Sequence, residues 1–206
     1  MYVMTPLATA DTAAVDKLIA ARMEFQIANR HRPRGEGGGL RDVVTGAGTR
    51  NAPHDAATGA QNTSDDGRTA IGMWEDEELV AAFVLQCAAP QPGWTIAERA
   101  EPTLLVSHAY SLPGQTLLGR LTALWLSDYA ARQHEQPWVR CTVQERALAW
   151  RLVRSCGWRH VRDVNDTHST IHLMQRPPER VDRLGVVVTS VGVPDLRPNA
   201  DHRLPA

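Results

Sequence analysis

A short turn separates an apolar run from a helical pattern in residues 107–125, SHAYSLPGQTLLGRLTALW. Pro113 and Gly114 are turn-forming residues, and the leucines after them recur at helical spacing. A helix that begins directly after a turn presents N–H groups without an intrahelical acceptor, at the positive end of the helix dipole. Such an end is suited to an anion, most often a phosphate. The stretch alone is weak evidence, so the surrounding elements have to support it.

Two other features could carry chemistry, a pair of histidines and a cysteine, but neither is interpreted as a reactive site. His168 and His172 have the spacing of a helical metal pair, but the Ser-Thr-Ile between them favours a strand, in which residues four apart lie about 13 Å apart. Cys156 has no recognisable base beside it and is interpreted as a small core residue. We therefore expect no metal and no thiol nucleophile.

Length and composition exclude several classes of protein. The chain has 206 residues, of which 43% are hydrophobic, and a net charge of −1, so one sizeable core is expected and a nucleic-acid partner is not. Three widely spaced cysteines indicate neither a disulfide framework nor a zinc knuckle. No apolar run suits a signal peptide or a membrane span, which predicts a cytoplasmic protein without a membrane partner.

The amino-terminal part predicts one helix followed by an insertion. Apolar residues at spacings of three and four indicate an amphipathic helix over roughly 12–30. Residues 31–69 then hold more than half of the glycines and few large apolar side chains. Such a segment buries too little to offset its ordering entropy. We expect a long mobile insertion with at most one weak helical turn near 40–45, or a lid that orders over substrate.

The remainder of the chain alternates between strands and helices. RTAIGMWEDEELVAAFVLQ predicts a hairpin, PTLLVSHAY a third strand over about 103–110, and the leucine-rich stretch after it a helix. WVRCTV is a further strand, ERALAWRLVRSC a helix closed by Gly157, and two strands follow. A strand–helix–strand crossover is parallel and right-handed, whereas the flanking hairpins are antiparallel. This order predicts a mixed, mostly antiparallel central sheet with flanking helices.

Two stretches within this order resemble motifs of the GNAT family of acyl-CoA-dependent N-acyltransferases. The family's pyrophosphate loop, R/Q-x-x-G-x-G/A, is similar to Gly114-Gln115-Thr116-Leu117-Leu118-Gly119. Its second signature, N-x-x-A-x-x-L-Y-x-x-x-G-F, is similar to residues 146–158, where Ala149, Leu152 and Gly157 match and Trp158 replaces Phe. The resemblance covers residues 70–176 and implies an α/β (α+β) GNAT-like fold. It also implies acetyl-CoA as co-substrate, without a metal.

The resemblance also implies which residues bind the acyl-CoA. The pyrophosphate would lie on backbone N–H groups of the turn, and the thioester carbonyl on those where the fourth strand splays from the fifth, around Ala109 to Ser111. The predicted cofactor-binding residues are Ala109, Ser111, Gly114, Gln115, Thr116, Leu117, Leu118, Gly119, Arg120 and Arg146.

Catalysis requires a base for the attacking amine. In the family this base lies on or near the fourth strand, where His108 titrates close to neutral pH. Glu98 and Glu101 are alternatives that would act through water. Tyr110 and Ser155 are the candidate proton donors to the leaving thiolate.

Departures from the motifs support an alternative function. Leu117 stands where the loop prefers glycine, Arg146 replaces the asparagine, and Val153 replaces the tyrosine that often protonates the thiolate. The first interpretation is an N-acetyltransferase acting on a primary amine of a small molecule. The alternative is a non-catalytic module of the same fold that binds acyl-CoA or a protein partner. The transferase domain would span 1–176, with 177–206 as a tail forming an edge strand or an arm, and a homodimer is left open.

Overall fold

The computed structural model describes residues 1–29, 38–47, 67–88, 93–166 and 169–194. Five α-helices and eight strands lie within these ranges. The helices are α1 (Thr12–Ala28), α2 (Gly38–Thr45), α3 (Ile96–Ala100), α4 (Thr116–Arg132) and α5 (Arg146–Cys156). The strands are β1 (Tyr2–Pro6), β2 (Arg68–Glu75), β3 (Glu78–Cys87), β4 (Thr103–Ser111), β5 (Trp138–Val143), β6 (Arg159–Asp166), β7 (Ser169–Arg176) and β8 (Val188–Ser190).

The chain divides into two compact units. Unit 1 contains the described residues of Met1–Leu85, His108–Leu118 and Gly185–Val193. Unit 2 contains those of Gln86–Ser107, Gly119–Leu184 and Pro194–Ala206. The chain passes from unit 2 to unit 1 within β4 and returns within α4, so the stretch that the sequence singled out is divided between them.

Unit 1 is a sheet with two helices. Its strand order is β8, β1, β2, β3 and the last residues of β4, with β8 parallel and β2 antiparallel to β1. Asp76 and Glu77 turn from β2 to β3 with φ values of 47° and 68°, as a two-residue type I′ hairpin requires. This confirms the predicted hairpin. The core is formed by apolar side chains of α1, α2, β2 and β3.

Helix α2 corrects the expectation that residues 31–69 contain at most one weak helical turn. It forms two turns instead of one weak turn, and Leu40, Val43 and Val44 are buried in the core of unit 1. Their spacing of three and four places them on one face, which is a helical signal that the surrounding glycines obscured. Residues 38–45 are therefore packed structure, and the rest of the insertion, 31–37 and 48–66, lies outside the described residues.

We expect Leu40→Ala to lower the stability of the protein. Leu40 is fully buried, and removing such a side chain from a core costs about 2–5 kcal/mol of unfolding free energy because a cavity remains. Urea unfolding followed by far-UV circular dichroism measures the loss. The exposed Asp42 on the same helix is the control, since Asp42→Ala should change stability by about 0.5 kcal/mol or less. Equal stability of the two variants would contradict the placement of α2.

The parallel strand pairing of the predicted crossover lies in unit 2. Thr103 to Leu105 at the start of β4 pair in parallel with Trp138 to Arg140 of β5, and α4 connects the two strands. β5 pairs with β7 and β7 with β6, both antiparallel. Parallel and antiparallel pairs thus occur together, which confirms the mixed sheet with flanking helices.

Two elements, β1 and α3, were not predicted, and β8 lies within the tail that was expected to form an edge strand or an arm. β1 and β8 pair with each other at the edge of unit 1, and α3 is a single turn that Thr95 caps by accepting a hydrogen bond from the Glu98 N–H. β1 has five residues and β8 three, too few for a clear periodic pattern. None of the helices in the described parts of the chain has both the length and the apolarity of a membrane span.

Candidate active site

Strand β4 has an irregular backbone conformation at His108. The ladder with β5 ends at Leu105, and Ser107, His108 and Ala109 are exposed in succession, which breaks the alternation of a regular strand. His108 has a φ of +47°, in the left-handed region. That conformation costs a non-glycine residue about 1–3 kcal/mol and is concentrated at functional sites. Histidine adopts it more readily than most residues do.

The imidazole of His108 lies directly over Gly39 of α2. A Cβ atom on Gly39 would lie 2.3 Å from Cε1 and 2.4 Å from Nε2 of the ring, so any other residue at position 39 would displace the ring. Burial lowers the pKa of His108, Arg68 lowers it further, and Asp42 opposes both. The ring is therefore neutral at pH 7 and able to accept a proton.

Gly39, Asp42 and Arg68 were not predicted as parts of a site. Gly39 and Asp42 belong to the segment interpreted as an insertion, and Arg68 is the first residue of β2. Each is far from His108 in the sequence, and only the packing of α2 against β4 within unit 1 brings Gly39 and Asp42 beside it. The buried face of α2 was the one signal in the sequence that could have located Gly39 and Asp42.

The entry to α4 has the geometry that the sequence predicted. Gly114 has a φ of +80°, as the third residue of a type II turn requires, and follows Pro113 at the position that proline favours. The side chains of residues 114–117 are exposed, while Leu118 is fully buried and anchors the first turn of the helix. The N–H groups of this turn have no intrahelical acceptor. Leu117, which replaces the expected glycine, is 52% exposed.

Gly119 lies near Cys156 at the end of α5. A Cβ atom on Gly119 would lie 3.8 Å from the Cys156 Sγ, which is ordinary contact. Burial raises the pKa of the Cys156 thiol, whereas the charges of Arg151, Arg176 and Arg120 lower it. The thiol is therefore protonated at neutral pH, and three guanidinium groups make this part of unit 2 electrically positive.

The geometry at the carboxyl end of α5 shows why the second signature has a glycine at position 157. Gly157 ends the helix with a φ of +69°, and the Arg176 Nη1 donates a 2.6 Å hydrogen bond to the Cys156 carbonyl. A Cβ atom on Gly157 would lie 2.2 Å from that nitrogen. Gly157 is thus required both for its backbone conformation and for the approach of Arg176. Ala149, which precedes Gly157 in the sequence, and Trp158, which follows it, are both buried.

The two alternative bases are engaged in ion pairs. Arg140, which is buried, pairs with Glu101, and Arg162 pairs with Glu98. Burial raises the pKa of Glu98, but hydrogen bonds from Thr95 and Arg162 outweigh it and the net pKa is lowered. A carboxylate stabilised in this way is a poor proton acceptor. The structure therefore favours His108 over Glu98 and Glu101.

The other predicted residues lie in different places. Tyr110 is partly buried against the core of unit 1, and Ala109 and Ser111 flank it on β4. Arg146 is the first residue of α5 and Ser155 is in its last turn, about 13 Å away at 1.5 Å per residue, so the two do not belong to one compact site. Gln115, which precedes α4, and Thr116 and Arg120, which belong to α4, are exposed.

Comparison with known proteins identifies the fold. Neither a family model nor a curated protein sequence matches the chain. Among solved structures, the chain is similar to the aminoglycoside acetyltransferase AAC(6')-Ib in complex with coenzyme A and kanamycin, with 12% identity, 91% of this chain and 98% of that chain covered, and a TM-score of 0.58.

Two further structures have the same fold. The ribosomal-protein-S18-alanine N-acetyltransferase from Escherichia coli has 12% identity, coverage of 89% of this chain and 97% of that chain, and a TM-score of 0.53. An acetyltransferase from Thermus thermophilus has 14% identity, coverage of 86% of this chain and 97% of that chain, and a TM-score of 0.53. At these identities the likeness shows the fold, which is that of GNAT acetyltransferases and confirms the resemblance seen in the sequence.

Proposed function

We propose that the chain is a cytoplasmic N-acetyltransferase that moves an acetyl group from acetyl-CoA to a primary amine of a small molecule. The observation that carries the proposal is the entry to α4, where a left-handed Gly114 leads into an exposed first turn held in place by the buried Leu118. The AAC(6')-Ib structure is a complex with coenzyme A, which supports this choice of co-substrate.

The pyrophosphate of acetyl-CoA binds to backbone N–H groups of residues 115–120. These groups combine hydrogen-bond donors with the positive end of the α4 dipole. Arg120 follows Gly119 directly, and its charge is among those that act on Cys156. The exposed Leu117 narrows the approach to the turn but leaves the backbone donors in place.

The acetyl group is transferred in one nucleophilic step. The His108 imidazole takes a proton from the ammonium group of the acceptor, and the amine nitrogen attacks the thioester carbonyl carbon. Backbone N–H groups of Ala109 to Ser111 stabilise the negative charge on the carbonyl oxygen. The C–N bond forms, the C–S bond breaks, coenzyme A leaves as a thiolate, and the second proton lost by the attacking nitrogen passes to that thiolate or to water. A thiol has a pKa of about 8.5, so the thiolate can leave without the tyrosine that Val153 replaces.

A non-catalytic module with this fold is the alternative function, and Leu117 and Val153 favour it. Calorimetric titration with acetyl-CoA, followed by thiol release against a panel of amines, separates the two. Micromolar binding with amine-dependent thiol release supports the transferase. Binding without release from any amine supports a binding module, and absence of binding would contradict both acyl-CoA proposals and leave a protein-binding role.

We expect Gly39→Ala to slow acetyl transfer. The added methyl group occupies the position of the His108 ring, so the ring must move, and a displacement of about 1 Å in a catalytic group can cost about 10²-fold in rate. Turnover under saturating acetyl-CoA measures the loss, and unchanged acetyl-CoA affinity shows that the fold persists.

The adjacent glycine provides a matched control for this variant. A Cβ atom on Gly38 meets nothing within 4 Å, so Gly38→Ala should keep the turnover of the unmodified protein. Equal turnover of the Gly38→Ala and Gly39→Ala proteins would show that the place of the ring over Gly39 has no bearing on the reaction.

A further inference from the structure

Three metal-ligating side chains converge on the β6–β7 hairpin of unit 2. His160 Nε2 and His172 Nδ1 each lie 2.6 Å from the same oxygen, Oδ1 of Asp163. The three potential ligand atoms lie within 4.8 Å of one another. The two imidazole rings are tilted by 59° with centroids 5.8 Å apart, so they do not stack and their nitrogens can face a common point.

An irregularity in β6 creates this arrangement. Residues three apart in a regular strand, such as His160 and Asp163, point to opposite faces. In β6 the register shifts between His160 and Arg162: His160 is opposite Met174, and Asp163 is opposite His172. Val161 is thus an extra residue, as in a β-bulge, which returns Asp163 to the face occupied by His160.

Burial differs among the three ligands in a way that suits an ion arriving from solvent. The His172 side chain is 8% exposed and lies on β7, which is paired on both sides by β5 and β6. The side chains of His160 and Asp163 are 40% and 49% exposed. One ligand is therefore fixed by the sheet, while the two at the surface can adjust and leave a coordination position open to water.

We propose that His160, Asp163 and His172 bind one zinc ion. Two imidazoles and one carboxylate with an open fourth position are a ligand set typical of tetrahedral zinc. Zinc lies about 2.0–2.2 Å from such ligands, which places the ligand atoms about 3.3 Å from each other. To reach this geometry the Asp163 carboxylate must withdraw by less than about 1 Å from the imidazole nitrogens. Because the ligand atoms are up to 4.8 Å apart, the His160 ring must also move toward His172 by about 1.5 Å, and both Asp163 and His160 are exposed side chains that can move. A bound ion would join β6 to β7 across the hairpin.

This proposal replaces the expectation that the chain has no metal. That expectation was based on His168 and His172 as a pair within one segment, and His168 lies outside the described residues. The partners of His172 in the structure come from the neighbouring strand instead. The zinc site is independent of the proposed acetyl transfer, because none of the three residues has a role in it.

Zinc titration of the full-length protein after chelator treatment and gel filtration tests the site. Calorimetry should show one zinc per chain, and the melting temperature should rise with zinc concentration because the ion binds the folded state. His160→Asn and Asp163→Asn alter exposed side chains and should each weaken zinc binding by about 100-fold or more. His134→Asn is the control, since His134 is exposed after the end of α4 and should leave zinc affinity unchanged.

Cobalt provides a readout of geometry that does not depend on stability. Cobalt-loaded protein should show the intense visible absorption of a four-coordinate ion, and His160→Asn should abolish it. Absence of stoichiometric zinc binding, or binding that both His160→Asn and Asp163→Asn retain at full affinity, would show that the three side chains form a hydrogen-bonded cluster only.

Discussion

Gly119→Asp should abolish binding of acetyl-CoA. Two unit charges about 4 Å apart interact with about 4 kcal/mol at an effective dielectric constant of 20, so a carboxylate beside the pyrophosphate would weaken binding by about 10³-fold. It also opposes the dipole of α4 and the positive charge of Arg120, which favour the anion. Calorimetric titration of the folded variant measures the affinity, and an unchanged dissociation constant would exclude this turn as the pyrophosphate site.

Two variants at the same position separate charge from bulk. The space at Gly119 accepts a Cβ atom, since the nearest non-local atom would be Cys156 Sγ at 3.8 Å. Gly119→Ala should therefore fold normally and, as a better helix former than glycine, gain up to about 1 kcal/mol of stability. Gly119→Asn has the shape of the aspartate without its charge. If Asn and Asp reduce affinity equally, the loss comes from steric obstruction of the approaching phosphate.

His108→Ala should lower turnover by about 10²- to 10⁴-fold, the usual contribution of a general base, with acetyl-CoA affinity preserved. The pH dependence of kcat/KM tests whether the His108 imidazole is this base. Because burial and Arg68 lower its pKa, the neutral imidazole persists to lower pH than in an unperturbed histidine. The acid limb of kcat/KM should therefore lie below about 6.5 in the unmodified protein and be lost in the variant. Equal turnover in both proteins would return His108 to a purely structural role.

The backbone at His108 requires its own control, because alanine tolerates a φ of +47° less well than histidine does. Asparagine adopts the left-handed region readily but cannot serve as the base. His108→Asn should therefore reproduce the loss of turnover while keeping the left-handed backbone conformation in β4. If the Asn variant is active and the Ala variant is not, the conformation of the strand matters and the imidazole does not.

Much of the architecture could be predicted from local sequence signals. The alternation of strands and helices from β2 to β7 follows from hydrophobic periodicity and turn residues, which act over a few neighbouring positions. Gly114 and Gly157 have the positive φ angles that their places after a proline and at a helix end indicate. The entry to α4, and with it the candidate phosphate site, was predicted for the same reason.

Helix α2 shows where composition misleads. Abundant glycine predicts disorder, but three apolar residues on one face are enough to anchor two turns of helix once the core of unit 1 receives them. The stabilisation comes from side chains of α1, β2 and β3, and none of these is near α2 in the sequence. Helix propensity alone therefore underestimated α2, because the stability of this helix comes from packing against other elements.

The sequence by itself determined the order of elements and the turn into α4, because each of these depends on residues close together in the chain, and it singled out His108 as the candidate base. Only the tertiary structure decided that His108 is left-handed and rests on Gly39, and that arginines neutralise Glu98 and Glu101. The convergence of His160, Asp163 and His172 belongs to the same group. These arrangements depend on strand register, an extra residue in β6 and the packing of distant segments. A shift of one residue would reverse the face of every following side chain, and no local pattern encodes that shift.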